Sequence, residues 1–185
     1  MNRHETTDDH ELIRQFQEGR RWAFDALMSR HEQHVYRIAL GMLGDRDQAL
    51  DIVQETFLNA FRSLKHFEFR SGFGTWLHRI AVNLCLSHMR KTKLRSLGSL
   101  AGLSGLLISS IRGPEQDLAV KDLNLRIEEA VASLPPRQKA IFLMRYREDL
   151  PFASIAEIMD RTEGAVRAGY FQALRKLRAR LANIV

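Results

Sequence analysis

The sequence predicts an all-α protein made of two small helical domains joined by a flexible linker. Apolar residues recur at the spacing of an α-helix over most of the chain. Only 4 Pro and 11 Gly occur among 185 residues, and 45% of the residues are hydrophobic, which suits a mostly helical protein. Ser and Gly residues within 94–113 separate two such helical regions. We therefore expect domains at residues 8–93 and 114–185, with the linker between them.

The charge of the chain indicates a polyanionic partner. It has 28 Lys and Arg against 22 Asp and Glu, a net charge of +6. Cys85 lies alone in an apolar helical pattern, so we expect a core residue rather than a nucleophile. We see neither a signal-peptide core nor an apolar stretch long enough for a bilayer, and we therefore expect a reducing, cytoplasmic location.

The first two helices are predicted from their caps and their apolar periodicity. A first helix is expected to begin at Asp8 or Asp9 and to end near Gly19. A second is expected from Trp22 to Leu43, with Gly44 as its stop. The inward residues of the first helix are Leu12, Ile13 and Phe16.

Two histidines on the second helix were considered as metal ligands. His31 and His34 stand three residues apart and in principle share one side of the helix. No Cys pair and no His-Glu-x-x-His motif accompanies them, so we expect no metal site and no cofactor.

A third helix is expected after Asp45, whose cap is helped by Gln48 three residues later. Its inward stripe is Ala49, Ile52, Val53, Phe57, Ala60, Phe61 and Leu64. Its outward face is a row of acids and an amide with one Leu, which suits docking onto a basic protein surface. An ordinary solvated face with one exposed Leu explains the same pattern, and the residues alone leave both interpretations open.

The segment from Lys65 to Gly74 interleaves aromatic residues with a cation and glycines. Such a composition suits stacking on an unpaired base, and it also suits a packed corner between two helices. The following helix, Thr75 to Arg90, is apolar on most faces and should be central to its domain. The basic residues at its end suit phosphates. They are His88, Arg90, Lys91 and Lys93.

The second domain is expected to end in a helix-turn-helix. A short helix from Phe152 to Met159 is followed by the break Asp160-Arg161-Thr162, and Thr162 should cap the next helix. The outward face of that helix carries Glu163, Arg167, Phe171, Gln172, Arg175 and Arg178, and its inward face carries Val166, Tyr170, Leu174, Leu177 and Leu181. The outward face suits a DNA major groove, and a solvated basic helix is the alternative.

Two earlier helices should pack beneath the helix-turn-helix. The first is expected to open at Pro114 and the second at the Pro135-Pro136 pair. They carry Leu118, Leu125, Ile127 and Val131, and then Ile141, Phe142, Met144 and Tyr146.

Three motifs in this order resemble a known family. The segments 51–57 (DIVQETF) and 74–83 (GTWLHRIAVN) are similar to region 2 of the extracytoplasmic-function (ECF) group of bacterial sigma factors. The segment 134–138 (LPPRQ), followed by the helix-turn-helix, is similar to region 4 of that family. The resemblance covers roughly residues 20–92 and 120–181, with the family's order and spacing.

The resemblance implies three sets of binding residues. The set that binds the β and β′ subunits of core RNA polymerase is Asp47, Asp51, Gln54, Glu55 and Leu58. The set that binds the −10 element and captures a flipped base is Phe67, Arg70, Ser71, Phe73, Thr75, Trp76, Arg79, Asn83, Arg90 and Lys91. The set that binds the −35 element is Arg161, Thr162, Glu163, Arg167, Ala168, Phe171, Gln172 and Arg175.

The resemblance also implies partners and excludes others. It implies a promoter-specific initiation factor without enzymatic activity or a small-molecule substrate, and an anti-sigma factor, sometimes membrane-bound, as a further partner.

The linker is unusually rich in Leu, so we expect it to be disordered when free and ordered against polymerase or an inhibitor. A helix lying on a membrane surface is the competing explanation, weakened by its glycines.

Several residues depart from the family pattern. Asp160 and Arg161 replace a Gly and an aliphatic residue, and Pro151 replaces a Ser cap. Ala168, Gly169 and Gln172 stand where hydroxyl or basic residues are common. Gly169 within the recognition helix indicates either close backbone approach to DNA or weak reading of the upstream element. Two alternative functions stay open. One is a conventional helix-turn-helix regulator that acts without polymerase. The other, based on the departures at Asp160, Ala168 and Gly169, is an inactive paralogue that titrates an inhibitor.

Overall fold

The computed structural model describes residues 8–98 and 118–182, and within these ranges the chain forms eight α-helices and no strand. This confirms the all-α prediction. The helices are α1 (Asp9–Gln17), α2 (Trp22–Leu43), α3 (Arg46–Leu64), α4 (Phe73–Gly98), α5 (Leu118–Ala132), α6 (Pro136–Tyr146), α7 (Phe152–Met159) and α8 (Glu163–Ala182).

Local signals set the ends of α2 and α3. Gly44 follows α2 with φ of 72°, a left-handed conformation that favours glycine. Asp45 then accepts a 2.9 Å hydrogen bond from the main-chain nitrogen of Gln48, which is the expected cap of α3. These two adjacent residues end one helix and start the next, so α2 and α3 pack side by side.

The first four helices enclose one apolar core. Its largest fully buried side chains include Leu12, Ile13, Leu27, Leu64 and Leu77. Phe61 was expected in this core, but it is 41% exposed, and its ring packs against those of Phe16 and Phe24. Phe61 therefore lies at the edge of the core, with part of its ring exposed to solvent.

Helices α5 to α8 form the second bundle. Ile155 and Val166 are fully buried, and Leu177 is nearly so. The expected inward positions of α5 were partly wrong, because Leu125 and Ile127 are 45% and 39% exposed while Ala130 and Val131 are buried. Among residues 124–132 of α5, whose side chains the structure describes, Ala130 and Val131 thus contribute to the core. The expected opening of this helix at Pro114 lies outside the described residues.

The two bundles pack on each other through α2 against α6 and α4 against α7. Ile38 and Met42 of α2 share one apolar cluster with Leu143 and Ile155 of the second bundle. A Cβ atom on Gly41 would lie 3.0 Å from Cδ1 of Leu143, so the absence of a side chain there permits the close approach. No local sequence signal predicts this contact.

Helix α4 is longer than expected. It was predicted to end at Arg90 but continues to Gly98, because residues 91–97 include good helix formers and neither Gly nor Pro. Residues 94–98 of the predicted linker are thus helical, and 99–113 lie outside the described residues. Among the helices that the structure describes, none combines the length and the apolar character that crossing a membrane requires.

Candidate nucleic-acid and protein interfaces

The outward face of α3 is exposed along its whole length. All five residues that the sequence assigned to this face are exposed, and Leu58 is 51% exposed. Leu50 and Phe61 are also exposed there, at 48% and 41%. Both stand outside the row expected from the sequence, although Leu50, Leu58 and Phe61 recur at helical spacing with Gln54. The face therefore combines an acidic row with an apolar stripe, a composition that suits a protein partner.

An aromatic cluster closes the corner between α3 and α4. The ring of Phe67 lies edge-on to Trp76 at 5.1 Å and to Phe69 at 5.3 Å between centroids. Phe67, Phe69 and Trp76 are half-buried, so part of each ring faces solvent. The aromatics thus pack as a corner between two helices, and the part of each ring that stays accessible leaves stacking on a base as a prediction.

Phe73 requires a correction. The sequence placed it among the residues that contact DNA, but its side chain is only 2% exposed. Its ring lies beneath the cluster, 5.8 Å from Trp76 and 6.4 Å from Phe67. Since a buried ring cannot stack on a base, Phe73 supports the exposed aromatics instead.

The remaining residues of this set extend along one side of α4. Trp76, Arg79, Asn83 and Arg90 are separated by three, four and seven residues, a spacing that keeps them on one face. The strip from Trp76 to Arg90 spans about 21 Å at 1.5 Å per residue. Asn83, Arg90 and Lys91 are exposed. The loop residues beside the strip are Arg70, which is exposed and paired with Glu68 at 2.7 Å, and the half-buried Ser71 and Thr75.

Arg79 has a partner in the second bundle. One of its terminal nitrogens donates a 2.8 Å hydrogen bond to the main-chain oxygen of Glu157 in α7. No local sequence signal predicts this contact, since the two residues are 78 positions apart. In this arrangement Arg79 is bound within the protein.

The recognition helix α8 begins as the sequence predicted. The hydroxyl oxygen of Thr162 accepts a 3.2 Å hydrogen bond from the main-chain nitrogen of Ala165. Asp160 in the turn has φ of 51°, the left-handed conformation for which Gly is common. The predicted contact residues all lie on exposed positions. They are Arg161, Thr162, Glu163, Arg167, Ala168, Phe171, Gln172 and Arg175.

Several of these side chains already have partners. The guanidinium of Arg167 is bonded to Glu163 and lies 4.7 Å from the ring centroid of Phe152. The amide oxygen of Gln172 accepts a 2.8 Å bond from Gln138. These contacts hold both side chains near the surface of the helix, so they are partly ordered before any ligand binds.

Gly169 faces the protein rather than the exposed side of α8. It is half-buried, and a Cβ atom there would lie 2.9 Å from Cδ1 of Ile141 in α6. The glycine allows α8 and α6 to pack closely. This packing accounts for Gly169 without a close backbone approach to DNA or a weak reading of the upstream element.

The histidines of α2 face different partners. His31 contacts Asp9 of α1 at 2.7 Å, whereas His34 contacts Glu148, which follows α6. Burial alone would raise the pKa of Glu148, but hydrogen bonds from Arg37 and His34 and their charges outweigh it, and the pKa is lowered. Among residues 8–98 and 118–182, no three His, Cys, Asp or Glu side chains are grouped as metal ligands.

Two family descriptions match this chain. The one described as Sigma-70 region 2 matches residues 27–95, and the one described as Sigma-70, region 4 matches residues 124–177. The first match contains the α3 face and the α4 strip, and the second contains the helix-turn-helix.

Whole-length relatives agree with these matches. The ECF RNA polymerase sigma-E factor of Haemophilus influenzae is 32% identical over 176 residues, covering 91% of this chain and 93% of the relative. The ECF RNA polymerase sigma factor SigW of Bacillus subtilis is 28% identical over 179 residues, covering 93% of this chain and 96% of the relative.

Solved structures share the fold. CnrH, solved in complex with the cytosolic domain of CnrY, superposes with a TM-score of 0.72 at 21% identity, over 95% of this chain and 97% of that one. The sigma factor RpoE of Bartonella quintana, solved with the anti-sigma factor NepR, gives 0.71 at 21% identity over 86% and 96%.

Fold, motifs and relatives leave the conventional regulator hypothesis without support. Two regions characteristic of sigma factors lie in one chain in the family's order, and their exposed faces carry the expected residue types. The chain therefore belongs to the ECF group of the sigma-70 family, and it directs RNA polymerase to promoters as a transcription initiation factor that is not an enzyme.

Proposed function

We propose that three surfaces of this sigma factor divide the work of initiation. The α3 face binds the clamp helices of the β and β′ subunits through Asp47, Asp51, Gln54, Glu55 and Leu58. The exposed Leu50 and Phe61 extend that contact with apolar area. The acidic row gives the contact its orientation, while the apolar stripe gives it buried surface.

The aromatic corner and the α4 strip bind the −10 element. The observation that carries this proposal is the continuity between the half-buried rings of Phe67 and Trp76 and the polar side of α4. A flipped base would stack on the aromatic corner, and Asn83, Arg90 and Lys91 would bind the adjoining backbone. Contact of Arg79 with DNA would compete with its hydrogen bond to the Glu157 carbonyl.

Helix α8 binds the −35 element in the major groove. Arg167 lies in its second turn, where side chains of a recognition helix contact base edges, and Arg175 lies two turns later, where phosphates are closer. Because the side chains of Ala168 and Gln172 carry no charge, we expect α8 to bind the −35 element with modest affinity.

The remaining proposals concern organisation and partners. We propose functional domains at 8–93 and 114–185 joined by 94–113, action in the cytoplasm where RNA polymerase works, and control by an anti-sigma factor. The last proposal is supported by the RpoE structure, which contains the anti-sigma factor NepR. A membrane-bound form of that partner remains part of the proposal.

The test combines binding to polymerase with transcription. The purified chain is mixed with sigma-free bacterial core polymerase, and the complex is isolated by size exclusion and used to transcribe a fragment library. We expect a 1:1 complex and new, specific start sites. A complex without specific start sites would overturn the assignment of the −10 and −35 surfaces, and DNA binding without a complex would overturn the assignment of α3.

Matched variants separate the surfaces. Asp51→Ala should weaken the complex with core polymerase, whereas Glu32→Ala, at an exposed position on α2, should not. Arg167→Ala should weaken binding to the upstream element, whereas Arg180→Ala, exposed near the end of α8, should have a smaller effect. Unchanged polymerase affinity in Asp51→Ala would show that the α3 face is an ordinary solvated face.

A further inference from the structure

The amide of Gln17 joins α1 to the loop between α3 and α4. Its Nε2 atom donates to the main-chain oxygen of Leu64 at 3.2 Å and to that of Phe67 at 3.0 Å. Leu64 is the last residue of α3, and Phe67 is the first aromatic of the corner. An amide nitrogen has two hydrogens, and both are used here.

A second residue of α1 reaches the same loop. The ring of His10 stacks on Phe69 with centroids 5.1 Å apart and planes inclined by 28°. Phe69 has φ of 57°, a conformation that a bulky side chain rarely adopts and that needs support from its surroundings. Gln17 and His10 therefore hold the loop at two points, one on its backbone and one on a ring.

Helix α1 is itself firmly attached to the bundle. Leu12 and Ile13 are fully buried, and the carboxylate of Asp9 is bonded to Arg30 and His31 of α2. The hydrogen bonds and charges of these partners lower the pKa of Asp9 although burial alone would raise it. The attachment makes α1 a fixed support for the loop.

We propose that Gln17 is a positioning residue for capture of the −10 base. It sets the place of Phe67, whose ring lies edge-on to Trp76, and thereby the shape of the aromatic corner. A stacking site held in place before DNA arrives avoids the entropy cost of ordering it on binding. This inference rests on the proposed function of the aromatic corner.

The test uses one variant without donors and one that restores them. Gln17→Leu removes both hydrogen bonds at similar size, and Gln17→Lys returns donors on a longer chain. Gln15→Leu is the matched control, because Gln15 on the same helix donates to Glu11 rather than to the loop. Holoenzymes are compared on a promoter from the fragment library, on the same promoter with a substituted −10 base, and on one with that base removed to leave an abasic site.

The measured quantity is the ratio of initiation rates on the natural and the substituted −10 element. We expect Gln17→Leu to lower this ratio about tenfold, the factor that corresponds to about 1.4 kcal/mol. Gln15→Leu should leave it unchanged, and Gln17→Lys should recover most of it. On the abasic template all variants should initiate alike, because no base remains to be captured.

Two results would overturn the inference. One is an unchanged ratio in Gln17→Leu; the other is an equal loss of rate on the abasic template, which would show a general structural defect. His10→Ala, at an exposed position, tests the same support if Gln17→Leu fails to fold, and it should lower the ratio in the same direction. An unchanged ratio in His10→Ala would then count against the inference.

A second comparison separates this inference from the proposed function. Trp76→Ala should abolish discrimination if the aromatic corner captures the base. If Trp76→Ala lowers the ratio and Gln17→Leu does not, only the positioning role is wrong. If neither variant changes it, the proposed function of the corner is wrong as well.

Discussion

The side-chain nitrogen of Lys139 donates a 2.8 Å hydrogen bond to the main-chain oxygen of Met42, and this bond joins the two helical bundles. Lys139 is only 4% exposed in α6, and Met42 lies in the last turn of α2. Carbonyl oxygens in a last turn lack partners within the helix and favour a positive charge. Burial nevertheless lowers the pKa of Lys139 to about 8, because water no longer solvates its ammonium group.

This lowered pKa predicts how stability depends on pH. The ordinary value is 10.5, so between about 8 and 10.5 the unfolded chain holds a proton that the folded chain has released. The cost of burying the ammonium is therefore full below pH 8 and is relieved as the pH rises. Relative to Lys139→Met, the wild type should gain on the order of 3 kcal/mol of unfolding free energy between pH 7 and 10.5.

Urea denaturation of both proteins across this range measures their free energies of unfolding. The difference between the two isolates Lys139, because the other groups that titrate at high pH contribute equally to both proteins. Lys176→Met, at an exposed position on α8, controls for the substitution itself. If the wild type and Lys139→Met gave parallel profiles, the ammonium would not be buried between the domains in solution.

Local residue patterns allowed much of the fold to be predicted. Gly44 ends α2, and Asp45 and Thr162 cap α3 and α8, each through partners no more than four residues away in the sequence. Such signals depend on neighbouring φ and ψ angles and on nearby main-chain donors, so a sequence displays them directly. The exposed rows of α3 and α8 followed from helical periodicity for the same reason.

The contacts between the bundles could not be predicted in this way. Lys139 and Met42 are 97 residues apart, and Arg37 and Glu148 are 111 apart. Nothing local distinguishes Gly41, which faces Leu143, from a glycine on a solvated face. Phe73 was misassigned for a related reason, because an aromatic residue in a loop gives the same pattern whether its ring is buried or exposed.

A second prediction concerns the ion pair of Glu148 with Arg37. The side chain of Glu148 is 1% exposed, and both of its oxygens accept 2.8 Å hydrogen bonds from the guanidinium of Arg37. Glu148→Gln keeps the size and removes the charge, so we expect a loss of about 1–3 kcal/mol at pH 7, measured by urea denaturation. Asp149→Asn, next to it and 91% exposed, should change stability by less than about 0.5 kcal/mol.

The lowered pKa of Glu148 gives this loss a pH dependence. A carboxylate whose pKa is lowered stabilises the folded chain above its ordinary pKa of 4.5 and loses that effect as the pH falls further. The difference in unfolding free energy between the wild type and Glu148→Gln should therefore become smaller as the pH falls below 4.5. A gap that stayed constant down to pH 3 would contradict the assigned pair.

A third prediction concerns the close contact of Gly169 with Ile141. Ala would favour the helix by about 1 kcal/mol, but its Cβ would lie 2.9 Å from Cδ1 of Ile141. Ile141→Val removes that carbon atom. We therefore expect Gly169→Ala to be about 1 kcal/mol more favourable in the Ile141→Val background than in the wild type.

A double-mutant cycle by thermal or urea unfolding measures this coupling. Gly164→Ala is the control, because nothing lies within 4 Å of a Cβ at that position, and it should show no coupling to Ile141. Additive effects of Gly169→Ala and Ile141→Val would mean that α8 and α6 are farther apart in solution.

The last prediction concerns the left-handed turn at Asp160, which sets the angle between α7 and α8. Asp tolerates φ of 51° better than most residues but less well than Gly, and a β-branched residue tolerates it least. Thermal unfolding should rank Asp160→Gly and Asp160→Asn equal to or above the wild type. Asp160→Val should fall about 1–2 kcal/mol below it. Because the same turn orients the recognition helix, Asp160→Val should also weaken upstream-element binding, measured with the holoenzyme, while Asp160→Asn should not. If Val were tolerated without loss of stability or binding, the turn would not be held in the left-handed conformation.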